Sequence, residues 1–323
     1  MALIKFLFSL LYVKFYRLSN KCTFNLVETT ETYLLKTADN KLKIKRVIEI
    51  SDSGNLPLIP NATPENLKKI PWLFPEFISS AHGLKLVIQL IVIESNGKII
   101  IVDTCVGNHK NILYKPWANK KNKFLEKMVA LGIKRENVDF VICTHIHLDH
   151  VGWNTFKNND EWETTFPNAE YIFSEKELEH ARKFENTLHG DVLKESIDPV
   201  LRAGQANLIS PPYSVDKNIK IINTPGHTPG HMSVVINYGG FNAYVTGDLI
   251  HHPCQIACPE WGTYYDVDKE LAMKTRKRFL EKNAEQDSII IGTHFAGSSI
   301  GKIIKDGDKY AFDILCENHE QKD

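Results

Sequence analysis

The sequence predicts an α/β fold in which mixed β-sheets are covered by helices, and three observations carry that reading. Short β-branched runs alternate along the chain with segments of helical period, the pattern of sheets and helices packed in layers. Four of those runs lead directly into imidazole- and carboxylate-bearing residues, as expected where strand C-termini share one rim. No low-complexity linker or short repeat divides the 323 residues. Residues 41–323 therefore read as a single domain behind an N-terminal extension, 1–40.

Taken in order, 41–50 and 84–93 are rich in β-branched residues, and "KIIIVDT" (98–104) follows the turn "SNG", so 84–103 reads as a hairpin. Between them, "IPWLFPEFISS" (70–80) mixes prolines with large aromatics. It suits a loop that packs over something, and it offers Trp72 and Phe74 as pocket walls. Phe124, Leu125, Met128 and Leu131 fall at helical spacing within 118–131, with Gly132 to close the helix. "VDFVIC" (138–143) is a short buried strand. Ser174 with Glu177 makes a capping box ahead of a surface helix. Strands follow at 219–223, 232–237 and 242–247, Asp268 caps a helix running to about Asn283, and "SIIIG" (288–292) is the last strong strand. The basic run "KTRKRFLEK" (274–282) reads as a solvated helix face.

Lys+Arg and Asp+Glu are both 39, so the net charge is zero. The chain lacks the basic excess that a nucleic-acid partner requires. Six scattered cysteines show no disulfide rhythm, and no second pair completes a structural zinc site, so they read as reduced thiols in a cytoplasmic protein. The N-terminal apolar run Phe6–Val13 is far shorter than the roughly 20 residues of a spanning helix. Lys14, Arg17 and Lys21 follow it with no small-residue cleavage site. A weak membrane contact or a loose extension is expected there rather than export. A homodimer is compatible with the sequence.

The chemistry concentrates in "CTHIHLDHVGWN" (143–154), which gathers His145, His147, Asp149 and His150 after one strand. "TPGHTPGH" holds His227 and His231, "TGD" holds Asp248 and "GTH" holds His294, each after another strand. Strand ends are rigid enough to hold ligands to the geometry that a metal requires.

H-I-H-L-D-H followed in order by T-P-G-H, T-G-D and G-T-H resembles the metallo-β-lactamase superfamily, from about Leu84 to Ile304. "VDTCVGNHK", "DHVGWN", "FPNAEYIFS" and "TGDLIHHPCQ" look closest to its methyl parathion hydrolase-like and N-acyl homoserine lactonase-like branches. The resemblance implies an αββα sandwich with two Zn2+ per chain. One metal would take His145, His147 and His227, the other Asp149, His150 and His294, and Asp248 would bridge them. His231 would support the ligands from behind.

The implied activity is hydrolysis of an ester, lactone or phosphotriester by a metal-bridging hydroxide, with Asp149 and Asp248 as catalytic residues. A glyoxalase II-like thioester hydrolase or a mononuclear iron dioxygenase of the same fold are the alternatives. Lactonases of this superfamily typically carry a tyrosine three residues after the bridging aspartate. His251 stands there in this chain, which weights the phosphotriester side. Trp153, three residues past the metal motif, joins His251, Trp72 and Phe74 as an expected wall of the small-molecule pocket.

Overall fold

The computed structural model describes residues 14–19, 22–28, 33–37, 39–53, 57–184 and 190–315. The apolar run Phe6–Val13 lies outside them. Among the described residues, no helix is long and apolar enough to cross a membrane.

Nine strands form the first sheet, in the order β1 (Lys14–Ser19), β2 (Cys22–Glu28), β3 (Tyr33–Thr37), β4 (Leu42–Ser53), β5 (Lys85–Ser95), β6 (Lys98–Val102), β7 (Phe140–Ile142), β10 (Glu170–Ser174) and β11 (Ala206–Ile209). A separate hairpin joins β8 (Thr155–Asn158) to β9 (Glu161–Thr164). The second sheet runs β12 (Tyr213–Ser214), β13 (Ile219–Asn223), β14 (Met232–Tyr238), β15 (Phe241–Val245), β16 (Ile289–Ile291), β17 (Ile300–Asp306) and β18 (Lys309–Ile314). Strands β6, β7, β10 and β11 are mutually parallel, as are β15 and β16, and the other neighbours are antiparallel. The helices are α1 (Pro64–Leu67), α2 (Phe124–Ala130), α3 (Leu148–Val151), α4 (Glu175–Lys183), α5 (Asp198–Arg202), α6 (Cys254–Ala257) and α7 (Lys269–Glu285).

The two-residue period of the strands sorts the core into three layers. Ile91 and Ile93 of β5, Ile100 and Val102 of β6, and Ile142 of β7 face Val234 and Ile236 of β14, Val245 of β15 and Ile289 and Ile291 of β16 between the sheets. Leu90, Val92, Ile101 and Val141 point the other way, onto Phe124 and Met128 of α2. Val235, Tyr244 and Ile290 lie under Phe279 and Leu280 of α7. Both faces of each central strand are covered, which explains runs such as "LVIQLIVI" that hardly alternate. The result is helix, sheet, sheet, helix.

The sheets are also joined directly at one end. Val87 N–H donates to the His294 carbonyl at 3.1 Å, Met232 N–H donates to the Thr144 carbonyl at 2.9 Å, and Leu86 bridges Phe295.

The segment 1–40, read as an N-terminal extension, contributes β1, β2 and β3 to the first sheet, β3 pairing with β4. Two expectations need correction. The helix expected from 118 begins only at Phe124, because Asn119 has a left-handed φ of 51° and the Asn122 side chain accepts the Phe124 N–H at 3.1 Å. Within "KTRKRFLEK", Arg276 is buried while Lys274, Lys277 and Arg278 stay exposed.

Candidate metal centre

Loops at the ends of β7, β13, β15 and β16 bring seven side chains together. Donor atoms of His145, His147, His227 and Asp248 lie within 4.8 Å of one another, as do those of Asp149, His150 and His294. Asp248 stands between the groups. Its Oδ2 is 3.5 Å from His145 Nε2 and 3.3 Å from His227 Nε2, while its Oδ1 is 3.3 Å from His150 Nε2 and 3.0 Å from His294 Nε2. Asp149 Oδ2 is 3.7 Å from both His150 and His294.

For four of the five histidines the far side of the ring explains why the near side is available. His150 Nδ1–H donates to Asp103 Oδ2 at 2.8 Å, His227 Nδ1–H to Asp266 Oδ1 at 2.9 Å, and His294 Nδ1–H to the Val87 carbonyl at 2.8 Å. His145 Nδ1 meets the Thr144 hydroxyl at 3.0 Å, and that hydroxyl donates in turn to Asp103 at 2.9 Å. With Nδ1 the donor in each case, Nε2 carries a lone pair aimed inward. His150 and His294 then oppose their Nε2 atoms at 3.2 Å, and buried Asp248 Oδ1 has no hydrogen-bond partner. Converging lone pairs of imidazole and carboxylate are the donor set of a divalent cation such as zinc, and the residues fit it.

Burial would lower His150 and His294, yet Asp248, Asp149 and Asp103 raise the first well above its usual range and Asp248 raises the second, so both rings must give up a proton to ligate a cation. Burial drives the His145 imidazole well below its usual range, helped by His150 and His147. Burial alone would raise the Asp248 carboxyl, yet His150, His251, His294 and His145 hold it well below the ordinary carboxylate range.

Four further residues fix the loops. Asp103, at a left-handed φ of 57° after β6, accepts the Thr144 N–H at 2.8 Å. His231 Nε2 accepts the backbone N–H of Asp248 at 2.8 Å, while its Nδ1 lies 3.1 Å from the Thr224 carbonyl. Glu177 ties the two histidine loops together, accepting from Ile146 N–H (3.1 Å), Thr228 Oγ1 (2.7 Å) and Gly230 N–H (3.0 Å). Its carboxylate does not return to Ser174, so the box reading from sequence holds only for the serine cap. Arg276 reaches the Leu249, Pro259 and Trp261 carbonyls at 2.8, 2.8 and 3.2 Å and approaches Asp266 at 3.7 Å, behind His227. Sequence reasoning assigned no role to Asp103, Asp266 or Arg276. Only the position of Asp103, directly after a strand, carried a signal.

Two glycines are required by close approach. A Cβ on Gly152 would sit 1.8 Å from the Val106 carbonyl oxygen, and one on Gly247, at φ +55°, would sit 2.6 Å from His231 Nε2. These contacts explain the glycines of "HVGW" and "TGD".

The cluster floors a cavity of about 290 Å³. Its walls are mostly apolar, among them Leu86, Ile88, Leu113, Tyr114, Trp117 and Tyr265, and no lysine or arginine is among the described residues that line it. His251 lines it, with Nε2 3.0 Å from Asp248 Oδ2 and a buried Nδ1 that has no hydrogen-bond partner.

Trp153 does not line it. Only 2% exposed, it stacks on Phe124 at 5.6 Å and donates its Nε1–H to Glu49 at 2.8 Å, and a register shift in β4 between Ile48 and Ile50 brackets that glutamate. Trp72 and Phe74 are likewise outside the cavity, packed against the helical side of the second sheet. His252 turns away to the Phe77 carbonyl at 3.0 Å.

A family model described as "Metallo-beta-lactamase superfamily" matches residues 86–294. An N-acyl homoserine lactonase of Bacillus sp is 26% identical over 182 residues, which are 55% of this chain and 64% of that enzyme. The chain thus spans just under two thirds of that relative's length. Among solved structures, hydrolase AbOPH of the beta lactamase superfamily superposes with a TM-score of 0.73, 21% identity, and 90% and 99% of the two chains covered. AidC, a dizinc quorum-quenching lactonase bound to its product, gives 0.69, 20%, and 93% and 100%.

Proposed function

This chain belongs to the metallo-β-lactamase superfamily, and we propose that it is a hydrolase carrying two zinc ions, acting on a lactone or ester with a bulky apolar substituent. The carrying observation is that both donor groups meet at Asp248 on the floor of an apolar-walled cavity. His145, His147 and His227 would hold one ion, Asp149, His150 and His294 the other, and Asp248 both. When bound, such ions lower the pKa of water and polarise the substrate oxygen.

The protein's own groups do the rest. The apolar walls bind the substituent and exclude bulk water, leaving the reacting bond over the cluster. Asp149, which lines the cavity beside the cluster, is placed to pass a proton to the leaving oxygen. His251 presents an imidazole to the same space. A lactone is favoured because the sequence relative is a lactonase. A thioester with a glutathione-like anion is disfavoured, since no lysine or arginine is among the described residues that line the cavity. Buried Cys105, Cys143, Cys254 and Cys258 are free thiols, which supports a reducing compartment.

Zinc-loaded protein assayed on N-acyl lactones, aryl esters, thioesters and phosphotriesters should prefer the first two, with about two zinc ions per active chain by elemental analysis. Full activity after exhaustive chelation, or with less than one ion per chain, would overturn the proposal.

A further inference from the structure

One imidazole beside the bridging carboxylate is not among the seven side chains of the cluster. His251 follows Asp248 by three residues, and the short turn Gly247–Leu249 brings it back onto that carboxylate. Its Nε2 lies 3.0 Å from Asp248 Oδ2, the oxygen that faces His145 and His227. The ring is buried, 4.7 Å from the His227 ring and 6.0 Å from the His294 ring, and so is wedged between one ligand of each group. Its backbone is fixed too. His251 N–H donates to Gln255 Oε1 at 2.7 Å, and Gln255 Nε2–H donates to the Trp261 carbonyl at 2.8 Å.

Such a ring can ligate an ion or donate a hydrogen bond, and its far side decides which. Behind His145, His150, His227 and His294 an acceptor holds the proton on Nδ1 and leaves a lone pair on Nε2. Behind His251 the buried Nδ1 has no hydrogen-bond partner. A neutral imidazole has a single N–H. On Nδ1 that hydrogen would be a buried donor left unpaired, which is costly. On Nε2 it meets Asp248 Oδ2 at an ordinary hydrogen-bond distance. A carboxylate oxygen has two lone pairs, so Oδ2 can face an ion with one and accept from His251 with the other. Donor atoms of His227, His251 and Asp266 also lie within 4.8 Å of one another. They do not make a third cation site, because His227 Nδ1–H and Thr263 already donate to Asp266, and Arg276 stands 3.7 Å from it.

We infer that His251 is a positioning residue, which donates its Nε2–H to the bridging carboxylate of Asp248 and ligates neither ion. By holding one oxygen it fixes the plane of the carboxylate between the two donor groups. The inference rests on the two-ion reading above and adds the part played by the residue three places after the bridge.

Zinc affinity, measured by chelator competition, reads this role without turnover. His251→Phe keeps a ring in the slot and removes the donor, and affinity should fall by about 10- to 100-fold. His251→Gln places an amide N–H where Nε2 stood and should hold affinity to within roughly threefold of the parent. In the cobalt(II)-loaded proteins, the visible bands at saturation should keep the parent's intensity in both variants, because the number of protein atoms on the metal does not change.

A His251→Phe affinity within roughly threefold of the parent overturns the inference, as do equal losses in the two variants, which would mean that the ring only fills space. Band intensities that change with His251→Phe also overturn it, since His251 would then be a ligand. In each of these cases a parent that binds roughly two zinc ions per chain keeps the two-ion reading. Absence of lactone and ester turnover in a parent whose variants follow the affinity pattern would count against the hydrolase reading and leave the donor role standing.

Discussion

Asp266→Asn tests whether a residue that holds no metal governs the metal's affinity. Asp266 Oδ1 accepts from His227 Nδ1 at 2.9 Å and Thr263 Oγ1 at 3.1 Å, and its Oδ2 accepts from the Thr263 N–H at 2.9 Å and faces Arg276 at 3.7 Å. An amide has one oxygen, so whichever way it turns, its NH2 meets a donor. The loss is therefore at least one buried hydrogen bond plus the charge that fixes the His227 tautomer. Changes of this kind lower metal affinity by about 10- to 100-fold.

The metal-free protein should lose about 1–3 kcal/mol, the cost of a buried donor left unpaired. That is less than the roughly 3–5 kcal/mol of a broken buried ion pair, because Arg276 keeps its three carbonyl partners. Acid supplies a second check. Burial opposes ionisation, but His227, His251 and Arg276 hold the native Asp266 carboxyl far below its ordinary range. Its contribution is therefore complete above the unfolded value of about 4 and is lost as the pH falls below it. The stability gap between parent and variant should close in that direction. Chelator competition would give the affinities, and guanidinium titrations of metal-free protein the stabilities. A variant that binds zinc within threefold of the parent, or a gap constant from neutral pH to pH 3, would refute the reasoning.

Asp248→Asn should leave the fold largely intact while lowering zinc affinity by at least about 10- to 100-fold and removing most turnover; activity within a few-fold of the parent would refute its bridging role. Trp153→Ala should cost roughly 3–5 kcal/mol, as for a buried aromatic, without altering preference for substrate size, which thermal melts and KM values on two substrates would check. Glu177→Gln turns an NH2 toward donors in one histidine loop and should cost about 1–3 kcal/mol together with zinc retention on gel filtration. Gly247→Ala forces a methyl group toward His231 and should lower both Tm and bound zinc; a variant with parental Tm would contradict the close approach.

The ligand loops were legible because they are local patterns. A strand followed within a few residues by His-x-His-x-Asp-His needs no knowledge of the rest of the chain to be noticed. The cavity walls were not. Trp153 lies next to the metal loop in sequence, but its direction is set by Glu49, 104 residues away, and by Phe124. Tyr114, Trp117 and Tyr265 come from loops with no period to read. Arg276 sits in a basic run whose other members are exposed, and only the docking of α7 over Leu249 and Trp261 shows that one guanidinium points inward. Helix 118–131 was overextended for the same reason, since the hold of the Asn122 side chain on the Phe124 N–H is local in chemistry but silent in hydrophobic spacing.

The direct joining of the two sheets at the cluster end has a kinetic consequence. The hydrogen bond from His294 to Val87 closes a span of 207 residues, and the apposition of His294 with His150 closes one of 144. Neither can form until the chain has paid the conformational entropy of bringing distant segments together, so these contacts belong to the late, slow part of folding. The hairpin of β5 and β6 is local and can form early. During refolding from denaturant, far-UV circular dichroism should therefore recover before the protein regains the ability to take up zinc, and the interval between the two signals measures the docking of one sheet onto the other.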